Sequence, residues 1–125
     1  RFRERVRMKH RNLYHSFRDA WRGILHVFRS ERNMRIHLIA GLVVLLFAGI
    51  SGVPRLEFLI LILTIGMMFV AEIINTAFEE VVNLITKEYH PLAGLVKNIA
   101  AGAVLVAALT SLWVGYIVLK DKLLP

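Results

Sequence analysis

Four polar side chains recur at regular intervals along a mostly apolar stretch, "AEIINTAFEEVVNLI", residues 71–85. Glu72, Asn75, Glu79 and Asn83 follow one another at spacings of three, four and four. At 100° per residue, those spacings place all four in one narrow stripe of a helix. Fourteen uncharged residues, Phe58 to Ala71, precede them, so the stripe is expected at membrane depth. An unpartnered charged group there costs roughly 2.5–3.5 kcal/mol on insertion scales, which makes such residues functional candidates by default. The bland alternative is hydrogen-bonding glue between helices. That accounts for Asn75, but two carboxylates on one stripe repel each other and call for a cation beside them. Carboxylate oxygens are hard ligands suited to Mg²⁺, which is usually held by one or two carboxylates plus phosphate oxygens.

The stripe descends toward a connection that adds Glu88, Tyr89 and His90, followed by Lys97 and Asn98. Glu31 is expected to approach from the same side. Lys97, one turn into the next helix, can offer its positive charge to a phosphate. Carboxylates, a lysine and a lipid-facing position together suggest phosphoryl transfer at a membrane surface. The soluble kinase plans do not apply: none of the eight glycines falls in G-x-x-x-x-G-K-[ST], and no H-R-D motif occurs. The five histidines lack zinc-ligand spacing, and without cysteine there is neither disulfide nor thiol chemistry.

Elements able to hold such a stripe can be read from the hydrophobic runs. Hydrophobic residues make up 57% of the 125-residue chain, far from the composition of a soluble domain. Leu38–Val53 is an uncharged run of sixteen and Ile99–Leu119 one of twenty-one. Phe58–Phe78 is interrupted only by Glu72 and Asn75. About 20 apolar residues suffice to cross a bilayer. Three transmembrane helices are therefore expected, over 34–53, 57–84 and 91–119, the first lengthened by letting Arg35 snorkel to the headgroups.

Ahead of them, Leu13, Phe17, Trp21, Ile24, Leu25 and Phe28 recur at helical spacing with arginines between, predicting an amphipathic surface helix within residues 1–33. Ala103, Ala107, Ser111 and Gly115 form a small-residue stripe suited to close helix packing. The fold class is all-α integral membrane, as a single domain over 1–125. Eleven of the sixteen Lys and Arg lie in residues 1–35. With membrane spans following directly, this reads as the positive-inside rule rather than nucleic-acid binding, and no nucleic-acid partner is expected. The N-terminal segment and the 80–97 connection then lie in the cytoplasm, with the turn at 52–57 outside.

"AEIINTAFEEVV" followed by "KEYHPLAGLVKNIAAGAVL" resembles the prokaryotic diacylglycerol kinase family, through the pattern E-[IL]-[IL]-N-[ST]-A-x-E, then E-Y-H, then K-[DN]-x-[AG]. The resemblance extends over nearly the whole chain and includes Trp21, Gly23 and Glu31. The stretch "ERNMRIH", residues 31–37, is similar to the Gram-positive branch, whose preferred substrate is undecaprenol. The resemblance implies a homotrimer of three-span subunits with composite sites, in a bacterial plasma membrane with the active site cytoplasmic. It makes Glu72 the general base, Glu31 and Glu79 the magnesium ligands, and Asn75 their polar partner. It also assigns ATP contacts to Glu31, Glu79, Glu88, Tyr89, His90, Lys97 and Asn98, and support of the lipid substrate to Glu72, Asn75, Trp21 and Arg35.

Two departures from the family pattern stand out, Asn83 and Asn98, where Asp is usual. Asn83, a turn beyond the metal ligands, is expected to matter little; Asn98 adjoins the phosphate lysine and is expected to weaken nucleotide binding or turnover. The expected activity is ATP-dependent phosphorylation of undecaprenol. Diacylglycerol is the alternative acceptor, and a proton- or ion-conducting oligomer is the alternative of another class. Lys97 and the E-Y-H connection argue against a conduit, which has no use for a phosphate site.

Overall fold

The structure, a computed structural model, describes residues 12–124. The described residues fall into two compact units that divide after Arg32. All their regular structure is helical: α1 (Leu13–Ser30), α2 (Arg32–Ser51), α3 (Arg55–Ile85) and α4 (Pro91–Leu123).

In the first unit, α1 begins where Asn12, in extended conformation, accepts the His15 backbone N–H on its side-chain oxygen at 2.9 Å. That satisfies one of the donors every helix start leaves open. At the other end Glu31 returns to extended geometry and donates its N–H to the Val27 carbonyl. Leu13, Phe17 and Trp21, spaced by four, are exposed.

The second unit contains the three long apolar helices, each of a length and composition able to cross a membrane. At 1.5 Å per residue they run roughly 30 to 50 Å, against about 30 Å of hydrocarbon. Large side chains such as Leu46, Ile50, Leu63, Met67 and Leu109 point outward. Side chains this apolar, turned away from the chain's own interior, belong in contact with lipid or another subunit.

The helix ends have local causes. α2 stops at Ser51, short of the expected 53, because Gly52 takes a left-handed φ of +72°. Its N–H bonds to the Gly49 carbonyl and that of Val53 to the Ala48 carbonyl, the pair of bonds that closes a Schellman motif. Only glycine adopts that conformation without strain from a Cβ. α4 runs on to Leu123, past the expected 119, with Lys120 and Lys122 in its last turn, where cations complement the helix dipole.

Packing is uneven along the unit. Beside the Gly52 turn, Ala48 of α2, Leu61 of α3 and Leu119 of α4 form a buried cluster, covered by Val53, Phe58 and Val118 among others. Further along, α2 and α3 approach closely at Gly41, where an added Cβ would lie 3.0 Å from Ile65 Cγ2. α3 and α4 pack as an antiparallel hairpin. Ala103, Ala107 and Ser111 of the small-residue stripe line a cavity of about 550 Å³ on that hairpin, facing Met67, Ile74 and Asn75. A side chain added at Gly115 would meet nothing within 4 Å. Within one chain the stripe borders open space instead of bringing two backbones together.

Candidate active site

α3 continues without a break through the polar stripe, which fixes the four side chains on one face. Glu72 is 1% exposed, Thr76 2% and Asn75 8%. Thr76 donates its hydroxyl to the Glu72 carbonyl at 2.9 Å, a back-bond to the preceding turn that satisfies a polar group in apolar surroundings. Asn75 donates its amide N–H to Glu79 Oε1 at 3.2 Å. That bond aims the Asn75 donor at the carboxylate, while its buried Oδ1 has no hydrogen-bond partner among the described residues. Along the axis Glu72 and Glu79 are about 10 Å apart, two turns of helix.

Glu79 and the Asn75 carbonyl together form a set of hard oxygen donors. No three His, Asp or Glu side chains converge among the described residues, so these oxygens are not a complete protein cage. They suit Mg²⁺, an ion that keeps several waters and takes the rest of its shell from substrate phosphates. The orphaned Asn75 oxygen is the feature of this face that a cation or its water would satisfy.

Two turns beyond Asn75, α3 meets α4. Lys97 donates from Nζ to Asn83 Oδ1 at 2.8 Å, bridging the helices across fourteen residues of sequence. Asn83, expected to matter little, therefore carries the lysine that was expected to meet a phosphate. The connection between the helices is tightly specified. Thr86 ends α3 and its hydroxyl oxygen accepts the Glu88 N–H at 3.2 Å. His90 caps α4, its Nδ1 accepting the Leu92 N–H at 3.1 Å, and Pro91 takes the first helical position, where a missing N–H does no harm. Acceptance at Nδ1 makes Nε2 the protonated nitrogen of the neutral ring. Glu88 and Tyr89 are exposed, so the connection presents a carboxylate, a phenol and an imidazole around the end of the hairpin.

The remaining candidates are distributed as follows. Asn98 is exposed on the first turns of α4, rotated away from Lys97. Arg35 is exposed in the first turn of α2. Trp21 and Glu31 belong to the first unit, Trp21 exposed on α1 and half-buried Glu31 at its C-cap. The hairpin thus gathers Glu72, Asn75, Glu79, Asn83 and Lys97 onto one line. Sequence reasoning overlooked one partner in that line, Thr76, and discounted another, Asn83. A threonine four residues after a membrane glutamate was the signal for the first. The second required the register of α3 against α4, for which the sequence offers only the shortness of the connection.

Comparison with known proteins identifies the family. The sequence model of the family described as prokaryotic diacylglycerol kinase matches residues 18–119. An undecaprenol kinase of Bacillus subtilis is 42% identical over 118 residues, covering 91% of this chain and 96% of that protein. A diacylglycerol kinase of Synechocystis sp. is 40% identical over 114 residues, covering 90% of this chain and 65% of that longer protein. A diacylglycerol kinase of Escherichia coli is 30% identical over 92 residues, covering 74% of this chain and 75% of that protein.

Proposed function

The chain belongs to the prokaryotic diacylglycerol kinase family, and from that premise we propose that it is an ATP-dependent lipid kinase converting undecaprenol to undecaprenyl phosphate in a bacterial plasma membrane. The observation that carries the reading is the line of side chains along α3, from buried Glu72 to Lys97 held at Asn83. It starts where a lipid hydroxyl lies and ends where a water-soluble nucleotide reaches. Undecaprenol is favoured as acceptor by "ERNMRIH" at 31–37 and by a match spanning 96% of the Bacillus undecaprenol kinase.

In this reading the hydroxyl oxygen of the lipid attacks the γ-phosphorus, the bond from that phosphorus to the β–γ bridging oxygen breaks, and ADP leaves. Glu72 takes the hydroxyl proton as general base; burial keeps water from competing for it. Glu79 would hold Mg²⁺, with Asn75 fixing its carboxylate, and the resemblance adds Glu31 as a second carboxylate ligand for the ion. The ion, when bound, neutralises charge on the β- and γ-phosphates. Lys97 binds the same phosphates, and Glu88, Tyr89, His90 and Asn98 surround the nucleoside. Trp21 and Arg35 place the lipid at the cytoplasmic headgroup level. Three subunits assemble with their apolar faces together, each site closed by a neighbour, because one chain leaves its hairpin groove open.

The test is phosphorylation by ATP of undecaprenol and diacylglycerol compared in the same detergent or lipid. A higher kcat/KM for undecaprenol is expected. A clear preference for diacylglycerol reassigns the acceptor, and no transfer to either removes the kinase reading.

A further inference from the structure

We infer that Asn83 is a positioning residue for the nucleotide phosphates, acting through Lys97 by holding its ammonium group without neutralising it. The inference rests on the reading of Lys97 as a phosphate ligand. Lys97 sits on α4 and the carboxylate face on α3, so something must bring the ammonium to that face. Among the described contacts, the 2.8 Å bond from Lys97 Nζ to Asn83 Oδ1 does so. Asn83 is the fourth member of the stripe, four residues after Glu79. Bound there, Nζ lies one helical turn from the Glu79 carboxylate, on the side away from Glu72. It therefore completes a run of carboxylate, amide, carboxylate, amide and ammonium.

The chemistry of the partner matters as much as its place. A lysine stem has four rotatable carbons, and an unanchored ammonium at a helix surface samples many positions. An amide oxygen accepts one of its three donors and carries no charge. Two N–H donors and the full positive charge remain for phosphate oxygens. A carboxylate in the same place would fix the ammonium equally well but cancel much of its field.

Steady-state kinetics with Mg-ATP on Asn83→Ala, Asn83→Asp, Lys97→Met and the Asn83→Ala/Lys97→Met double variant test this, with purified protein and a saturating lipid acceptor. Asn83→Ala is expected to raise KM for Mg-ATP roughly tenfold, as loss of a charge-assisted hydrogen bond would, while kcat changes less. Asn83→Asp restores position but not field, and its KM should lie between those of the parent and Asn83→Ala. In the Lys97→Met background Asn83→Ala should change KM less than about twofold, because two residues acting through one contact are not additive. An equal effect of Asn83→Ala in both backgrounds, or none in either, overturns the inference while leaving Lys97 in its place. Normal KM in Lys97→Met overturns the phosphate reading of Lys97 and this inference with it. Should Asn83→Ala fail to fold, Asn83→Asp and Asn83→Ser carry the same comparison.

Discussion

Glu72 and Glu79 share a face of α3 but differ in surroundings: Glu72 is almost wholly buried, whereas Glu79 is half-buried and receives the Asn75 amide. Different surroundings suit different tasks, a base in the one case and a metal ligand in the other. Glu72→Gln keeps shape and hydrogen bonding but removes the proposed proton acceptor. Its kcat should fall about 10²–10⁴-fold, the usual loss when a general base is removed, with Mg-ATP affinity near normal. Glu79→Gln should instead weaken binding of Mg-ATP and raise the Mg²⁺ requirement. Titration calorimetry with a non-hydrolysable ATP analogue, beside steady-state rates, separates the two; loss of nucleotide binding in Glu72→Gln alone would reverse the roles. Asn75→Leu, which removes the amide that orients Glu79 and leaves the rest of the stripe, should shift Mg²⁺ dependence in the same direction as Glu79→Gln. An unchanged Mg²⁺ dependence there would take Asn75 out of the metal site.

Helices, as elements, were the most legible part of the sequence. Runs of apolar residues as long as the hydrocarbon is thick leave few alternatives, and spacings of three and four at 72, 75, 79 and 83 define a single stripe wherever the helix packs. Family membership was legible as well: the E-x-x-N, E-Y-H and Lys97 segments carried the resemblance, and the family model matches residues 18–119. Contacts between elements were not. The bond between Lys97 and Asn83 depends on how far α4 slides along α3, and no side-chain pattern records that displacement. The core beside the Gly52 turn was hidden for a related reason: in a chain that is apolar throughout, Ala48, Leu61 and Leu119 look like their neighbours. One boundary can be tested directly. Gly52→Ala places a Cβ in left-handed backbone and should destabilise the protein by about 1 kcal/mol or slightly more. Gly52→Asn, which tolerates that region, should lose less. Thermal unfolding in detergent followed by circular dichroism ranks them; equal midpoints for Ala and Gly would show that the turn carries no such strain.

For the whole molecule, the question is which parts of a site one subunit supplies. Glu72 and Lys97 lie on a single hairpin, tied through Asn83. A mixture of Glu72→Gln and Lys97→Met subunits should therefore show no recovery of kinase activity, since every hairpin in it is defective. Substantial recovery would mean that these two residues meet across a subunit boundary. The Gly52 turn has a further consequence, for how the protein enters the bilayer. Between Ser51 and Arg55 only Gly52, Val53 and Pro54 lie outside helix. In the proposed orientation, with both ends of the α2–α3 pair in the cytoplasm, the tip to be translocated carries just Arg55 and Glu57, charges of opposite sign two residues apart. The Schellman bonds already pair the Gly52 and Val53 N–H groups with the Gly49 and Ala48 carbonyls. In that orientation biogenesis asks the insertion machinery to carry across a small loop of no net charge, partly bonded to the helix before it, and the two helices can enter lipid together as one hairpin.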